Sequence, residues 1–486
     1  IPGRYYRNVG VREPVLRDIA DRMDVFPVTD ILQVDQFGRY TAGAAHEIYT
    51  ARAFPKEYWN SRAFVAEPTA HVIGMFELRT NGSGYRAINR WSLMASRDAW
   101  AAPVQVKVGP DGAIWVADFY TLVAQHNPTP TWLIPKTPND TVGCCRNGPG
   151  NAYETPNRDR LHGRIYRISY DSAPRAAALR LDTASPDALV AALRNDNMFW
   201  RHTAQRLLVE RKATTSAPAL IRLVNDHTVD ALGLNPGALH AVWTLDGLGL
   251  VRAPGTAQDA VRRALTHPAA AVRRAALEVL PADARLVDDM LRAGIIPDRG
   301  SPTSVSYTVA TGLLQDADAG VRLQALLTLS TIPATPATRS AIAAMLIAPE
   351  NARDRWIPEA AGIAGATQGA EFLRDVLGRR LPFSDSVLVS GVGRSVDLIT
   401  RHRASQADAA EASALIVMVP QLPAPIALGI LNGIALGWPE ETAPTFTDTQ
   451  RAALRSAAAG ASAPLVEAFG RVAARWGMPD LFDPAR

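Results

Sequence analysis

A β module followed by an array of helical repeats is the fold class that these residues predict, and three observations predict it. Two short β-runs, 105–108 and 113–118, are joined by Gly109-Pro110-Asp111-Gly112. Proline presets φ and glycine supplies a positive φ, so this turn has a mechanism. A third run, 164–169, alternates Ile165, Tyr166, Arg167 and Ile168. From about residue 185 the pattern changes to Ala/Leu/Arg-rich segments of helical period. Together these read as the C-terminal blades of a β-propeller over 1–175 and a HEAT-like α-solenoid over 185–486.

Taken in order, residues 1–30 interleave Asp18, Asp21 and Asp24 with Arg17 and Arg22 and carry no strong period. Residues 31–50 hold a turn at Gln36-Phe37-Gly38 and a short run ending at Ile48-Tyr49. The runs 63–66 and 71–78 read as paired strands around Glu67-Pro68-Thr69. Asn81-Gly82-Ser83-Gly84 is a strong turn signal. Residues 127–160 form a long Pro-, Asn- and Gly-rich loop, of a length that is commonly functional.

The helical half begins with an N-cap, Ser185, followed by Pro186 and Asp187. The segments around Ala204, Ala241, Ala276 and Ala325 resemble one another, and Arg201, Arg273 and Arg322 each stand three residues before such an alanine. A small residue with Leu at the following turns marks a helix contact in stacked repeats. Residues 370–486 continue the pattern less regularly.

Composition narrows the function. The chain has 486 residues and a formal net charge of +4. Lysine occurs only at 56, 107, 136 and 212, and the rest of the 51 basic residues are Arg. With abundant Ala this reads as the codon bias of a GC-rich genome. Acidic residues are interspersed throughout, so no nucleic-acid surface is expected. No apolar run reaches the roughly 20 residues of a membrane span. The only cysteines, Cys144 and Cys145, are adjacent, and there is no CxxCH for covalent haem. As neighbours they read either as loop thiols or as a strained vicinal disulfide. The first residues, IPGRYYRNVG, lack the apolar core of a signal peptide. A blade takes roughly 40 to 50 residues and a propeller closes with about 4 to 8. Residues 1–170 would supply three or four, so upstream sequence or a second chain is expected to complete the ring.

The stretches 40–78, 95–120, QHNPTP (125–130), NAYETP (151–156) and HGRIYRI (162–168) resemble the glucose/sorbosone dehydrogenase propellers of the soluble quinoprotein type. With 197–211 and 233–249, the chain is similar to large multidomain bacterial proteins that join such a propeller to HEAT repeats, often with a c-type cytochrome domain. The resemblance implies a periplasmic or extracellular protein. It implies oxidation of a carbohydrate in the propeller funnel, with a quinone (PQQ) or a divalent metal as cofactor and a cytochrome as electron acceptor. It also shows departures. The lysine and arginine that hold the quinone in that family fall, by hairpin register, at Thr69 and Ala102. Two charge-assisted contacts, each worth about 1.5–3 kcal/mol, would be missing. The family's catalytic histidine belongs to an earlier blade.

Polar clusters on the strand ends supply the candidate chemistry. Glu67 and His71, four apart on a hairpin tip, are acid/base groups or metal ligands. Arg97, Asp98 and Trp100 precede the next hairpin; Trp stacks on a sugar or planar cofactor while Arg and Asp fix its hydroxyls. His126, with Asn127, enters the long loop, and His162 with Arg164 leaves it. The expected roles are catalytic for Glu67, His71 and Asp98, cofactor-binding for Arg97 and Trp100, and metal-ligating for His71 and His126. His46 and Asp118 are weaker candidates, and Asp111 belongs to its turn. His202, His240 and His267 share no paired spacing. Two alternatives stand beside the dehydrogenase: a non-catalytic glycan- or protein-binding propeller with a helical docking scaffold, and a metal-dependent enzyme of another class.

Overall fold

A computed structural model describes residues 43–68, 71–96, 100–121, 146–147, 153–154, 161–173, 179–292, 295–297, 307–309, 312–369, 371–378, 385–440 and 442–482. The chain divides into two compact units, Ile1–Thr80 with Tyr85–Ala204, and Asn81–Gly84 with Gln205–Arg486. The fold is mixed: antiparallel sheets dominate the first unit and helices the second.

In the first unit, β1 (Ala45–Ile48), β2 (Arg62–Glu67), β3 (Val72–Asn81) and β4 (Gly84–Ala95) lie side by side in chain order. A second sheet holds β5 (Pro103–Val108), β6 (Ile114–Asp118) and β9 (Arg164–Ile168), also in chain order. In sequence between β6 and β9 come β7 (Arg146–Asn147) and β8 (Tyr153–Glu154), an antiparallel pair. Successive side chains of a strand point to opposite faces; burial alternates along β5 and β6, while Val72–Phe76 of β3 are all buried. Phe64 and Ala66 of β2, Ile73 and Met75 of β3, Val106 and Val108 of β5, and Ile114 and Val116 of β6 meet in one core shared by both sheets. Burying each of the larger side chains stabilises by about 1.5–3 kcal/mol.

The expected pairing of the first two runs is observed: Ala63 opposes Phe76 and Glu67 opposes Val72. Their boundary differs by one residue. His71 takes a positive φ of 59° and forms the turn rather than starting β3. The Gly-Pro-Asp-Gly turn forms as read: Gly112 has φ 74° and its N–H donates to the Gly109 carbonyl at 3.0 Å. Tyr49 anchors it. Its buried hydroxyl donates to the Gly112 carbonyl and accepts from the Phe54 N–H, both at 2.9 Å.

The helices are α1 (Pro186–Ala192), α2 (Met198–Glu210), α3 (Ala217–Val224), α4 (Pro236–Gly247), α5 (Thr256–Arg263), α6 (Ala270–Val279), α7 (Ala284–Arg292), α8 (Ala319–Leu329) and α9 (Pro336–Ile347). After them come α10 (Pro349–Ala352), α11 (Ile357–Ala366), α12 (Glu371–Leu377), α13 (Ser386–Ala404), α14 (Ala409–Met418), α15 (Ala424–Gly437), α16 (Asp448–Ala458) and α17 (Ala463–Arg475). A short pair, β10 (Ile295–Pro297) and β11 (Tyr307–Val309), interrupts them. Ser185 caps α1 through the Ala188 N–H, as its Ser-Pro-Asp sequence predicts.

The sheet unit extends past the expected boundary near 175, to Ala204. Three hydrogen bonds explain this. Asn197 Nδ2 donates to the Gly109 carbonyl at 2.8 Å, Trp200 Nε1 to the Pro110 carbonyl at 2.8 Å, and the Met198 N–H to the Thr50 carbonyl at 3.4 Å.

In the second unit α4, α6, α8, α11, α13, α15 and α17 form a row, each packed on the next. Asn235, Asp318, Thr335, Asp385, Asp408 and Thr447 cap helices with their side chains, so the orphan N–H groups of the first turns are met by sequence-local acceptors. Ala241, Ala276 and Ala325 are fully buried, as is Ala204 in the first unit. α13 and α15 approach most closely. Gly429, Gly433 and Gly437 recur every four residues along α15, and a Cβ at Gly433 would lie 2.6 Å from Thr400 Cβ and 2.8 Å from the Asp397 carbonyl. No helix among the described residues is long and apolar enough to cross a membrane.

Candidate functional site

Antiparallel order brings one set of strand ends together in the sheet unit: the end of β2, the start of β3, the residues before β5, the end of β6 and the start of β9. Glu67, the last residue of β2, and His71 are both buried. His71 Nδ1 lies 2.5 Å from the Ala101 carbonyl, which ties the first sheet to the segment leading into the second. A carbonyl can only accept, so Nδ1 carries a proton and donates it there.

Asp118 closes the end of β6. Its Oδ1 accepts from the Ala102 N–H at 2.7 Å and the Tyr120 N–H at 2.8 Å, and its Oδ2 from the Tyr166 hydroxyl at 3.3 Å. This carboxylate is a brace: it converts a strand terminus into a fixed corner. The corner is strained, because Tyr120 has φ 52° and is not glycine. Two side-chain-bearing residues in the left-handed region, His71 and Tyr120, thus stand at this one end. Such outliers concentrate at binding and active sites.

The brace positions an aromatic layer. The Arg164 guanidinium carbon lies 3.7 Å from the Tyr120 ring centroid, and the Trp100 ring is 6.0 Å from Tyr120 at 33°. Arg164 is opposite Asp118 in the β6–β9 register, and its Nη1 donates to the Tyr166 hydroxyl at 3.3 Å. Phe119 is 54% exposed beside them. Flat rings, a guanidinium and hydroxyl groups on a rigid corner can stack on a sugar and hydrogen-bond its substituents.

Of the predicted site residues, Glu67, His71 and Trp100 share this end. Arg164, expected with His162, and Asp118, a weaker expectation, prove central to its geometry. His162 is exposed near the start of β9, and His46 is exposed on β1. Arg97, Asp98, His126, Thr69, Cys144 and Cys145 lie outside the described residues. Tyr120 and Tyr166 were missed. The available signal was Asp-Phe-Tyr at a strand end, where an acidic side chain can turn back onto the next amides.

Of the two positions at which the resemblance would place the quinone's cations, Ala102 alone is among the described residues. Ala102 is fully buried and its amide is committed to Asp118, so no cation stands there. Among the described residues no group of three or more His, Cys, Asp or Glu could hold a metal ion. At the opposite end of the same unit lies an open hollow lined by Phe54, Asp111, Arg167 and Tyr170. Two of its charges are paired with each other: Arg167 Nε donates to Asp111 Oδ2 at 2.6 Å. Burial raises the Asp111 carboxyl, but hydrogen bonds from Trp115 and Arg167 outweigh it and hold the group below the usual carboxylate range.

A family model for a domain of unknown function, DUF7133, matches residues 3–172. That match contains every residue of the strand-end site. No curated protein matches. An engineered protein of solved structure is similar at 16% identity over 62% of this chain and 82% of that chain, with a TM-score of 0.27. The complex of CpcE and CpcF of phycocyanin lyase from Nostoc sp. PCC7120 is similar at 15% identity over 63% of this chain and 99% of that chain, with a TM-score of 0.21. At these TM-scores neither likeness bears on fold or function.

Proposed function

We propose that the sheet unit is the C-terminal part of a β-propeller whose strand-end face binds carbohydrate without transforming it, and that the helical unit is a HEAT-like docking scaffold. Two sheets in chain order sharing one core support the propeller reading, and the row of stacked helices with buried alanines supports the solenoid. An upstream segment or a second chain would complete the ring, in a periplasmic or extracellular protein. The observation that carries the binding reading is the Trp100–Tyr120–Arg164 layer, fixed on the Asp118 brace. A rigid aromatic corner binds a flat ligand at little entropic cost.

Binding is favoured over oxidation because Ala102 replaces a cation and because Glu67 and His71 are buried. His71 favours a second reading, since a ring nitrogen held by a carbonyl is also how a general base is oriented. In that reading the chain belongs to a dehydrogenase that passes electrons to a c-type cytochrome. One experiment separates them. The purified protein is screened against immobilised cello-, xylo- and manno-oligosaccharides, and in parallel incubated with PQQ, with calcium, and with an artificial electron acceptor. Sugar retention without acceptor reduction is expected. Acceptor reduction would establish the second reading, and no retention of any sugar would overturn the first.

A further inference from the structure

His267 is a titratable side chain of the helical unit with both ring nitrogens engaged. It is fully buried in the turn that leads into α6. Its two ring nitrogens have opposite duties. Nε2 lies 2.9 Å from the Asp226 carbonyl, in the turn after α3, and Nδ1 accepts from the Ala269 N–H at 3.0 Å. A carbonyl only accepts and an amide N–H only donates, so the neutral Nε2–H tautomer alone satisfies both. The His267 carbonyl in turn accepts from Arg273 Nη1 at 2.7 Å.

The groups facing the ring are of both signs, and burial decides between them. The Arg273 guanidinium comes from α6, with Asp316 beyond it from the turn before α8. His227 comes from the turn after α3, its ring 5.3 Å away edge-on, and the Asp226 carboxylate from the same turn. Burial, then His227 and Arg273, hold the imidazole below its ordinary range, against the Asp226 carbonyl bond that raises it.

We propose that His267 is an acid-sensitive joint: protonation at Nδ1 sets N–H against the Ala269 N–H, expels the ring from between Asp226 and Ala269, and loosens the α3–α4 and α5–α6 turns while the rest of the unit stays folded. The sign follows from linkage. A group whose folded pKa is depressed supplies stability that is complete above its unfolded value of about 6.5 and is lost as the pH falls below it.

Hydrogen exchange of the whole chain, followed by mass spectrometry from pH 7.5 to 5.5 and corrected for intrinsic rates, tests this. Opening of peptides covering 223–230 and 265–275 is expected to rise by up to about tenfold per pH unit below 6.5, with α13 and α15 unchanged. His267→Asn keeps an acceptor for the Ala269 amide but cannot titrate, and its exchange should be independent of pH. His227→Gln should retain the pH response. Unchanged protection of both segments in the wild type, loss spread evenly over the unit, or the same response in H267N would overturn the proposal. If H267N does not fold, the wild-type series decides alone.

Discussion

Arg273 and Asp316 form a buried, two-pronged ion pair between successive helical repeats. Nε donates to Oδ2 at 2.8 Å and Nη2 to Oδ1 at 2.7 Å. The same arginine reaches back six residues to the His267 carbonyl. Arg322 repeats the reach, to the Asp316 carbonyl at 2.6 Å, and its Nε donates forward to Asn351. Arg201 reaches back to Asn195 in the same way. The arginines that stand three residues before Ala204, Ala276 and Ala325 therefore fasten the turn in front of their own helix, and two of them also fasten the next repeat.

Removing one partner should be costly, because the other charge is left buried. Arg273→Met is expected to destabilise the helical unit by about 3 to 5 kcal/mol. Arg273→Met with Asp316→Leu should recover much of that loss, since replacing both charges by apolar groups is often close to neutral. Urea unfolding followed by circular dichroism reads both; an unchanged midpoint for the single variant would show that the pair does not fasten the repeats.

The glycines of α15 separate close approach from helix propensity. Gly433→Ala places a Cβ against Thr400 and the Asp397 carbonyl, and should cost about 1 to 3 kcal/mol through overpacking. Gly470→Ala in α17 meets nothing within 4 Å and should stabilise by about 0.5 to 1 kcal/mol. Thermal melts of the two variants should move in opposite directions. Movement in the same direction would contradict the close packing of α13 on α15.

Tyr49 gives an alkaline signature. Burial pushes its phenol up from 10.0 to about 12, against the lowering influence of the Phe54 amide. A folded value above the unfolded one means that its contribution is whole below pH 10 and is lost as the pH rises toward 12. Burial also raises Tyr58, so ultraviolet titration should show more than one tyrosine ionising late, and Tyr49→Phe should take one tyrosine out of that late phase. The same variant leaves the Phe54 amide and Gly112 carbonyl without their partner, at about 1 to 3 kcal/mol.

Much of this architecture was legible in the residues. Strand alternation, the Gly-Pro-Asp-Gly turn and the Ser185 cap are local codes, and each formed where its residues stood. The buried alanines at 241, 276 and 325 were legible because repeat packing imposes a period. The glycine row of α15 was also in the sequence, but only the partner helix explains it. The site was legible in part. Glu67, His71 and Trp100 reach one strand end, yet the first two are buried, which no pattern of residue types reveals. The strain at Tyr120 and the triple acceptance by Asp118 arise from how two strands and a turn meet, and these are non-local relationships.

The carbohydrate-binding corner is tested most directly by isothermal titration of the wild type, Trp100→Ala and Tyr170→Ala with whichever oligosaccharide the screen retains. Trp100 lies in the strand-end layer and Tyr170 in the hollow at the opposite end. The account predicts that Trp100→Ala weakens binding by at least about tenfold, with an unchanged melting temperature, while Tyr170→Ala binds like the wild type. Full affinity in Trp100→Ala, or loss of binding in Tyr170→Ala alone, would contradict it.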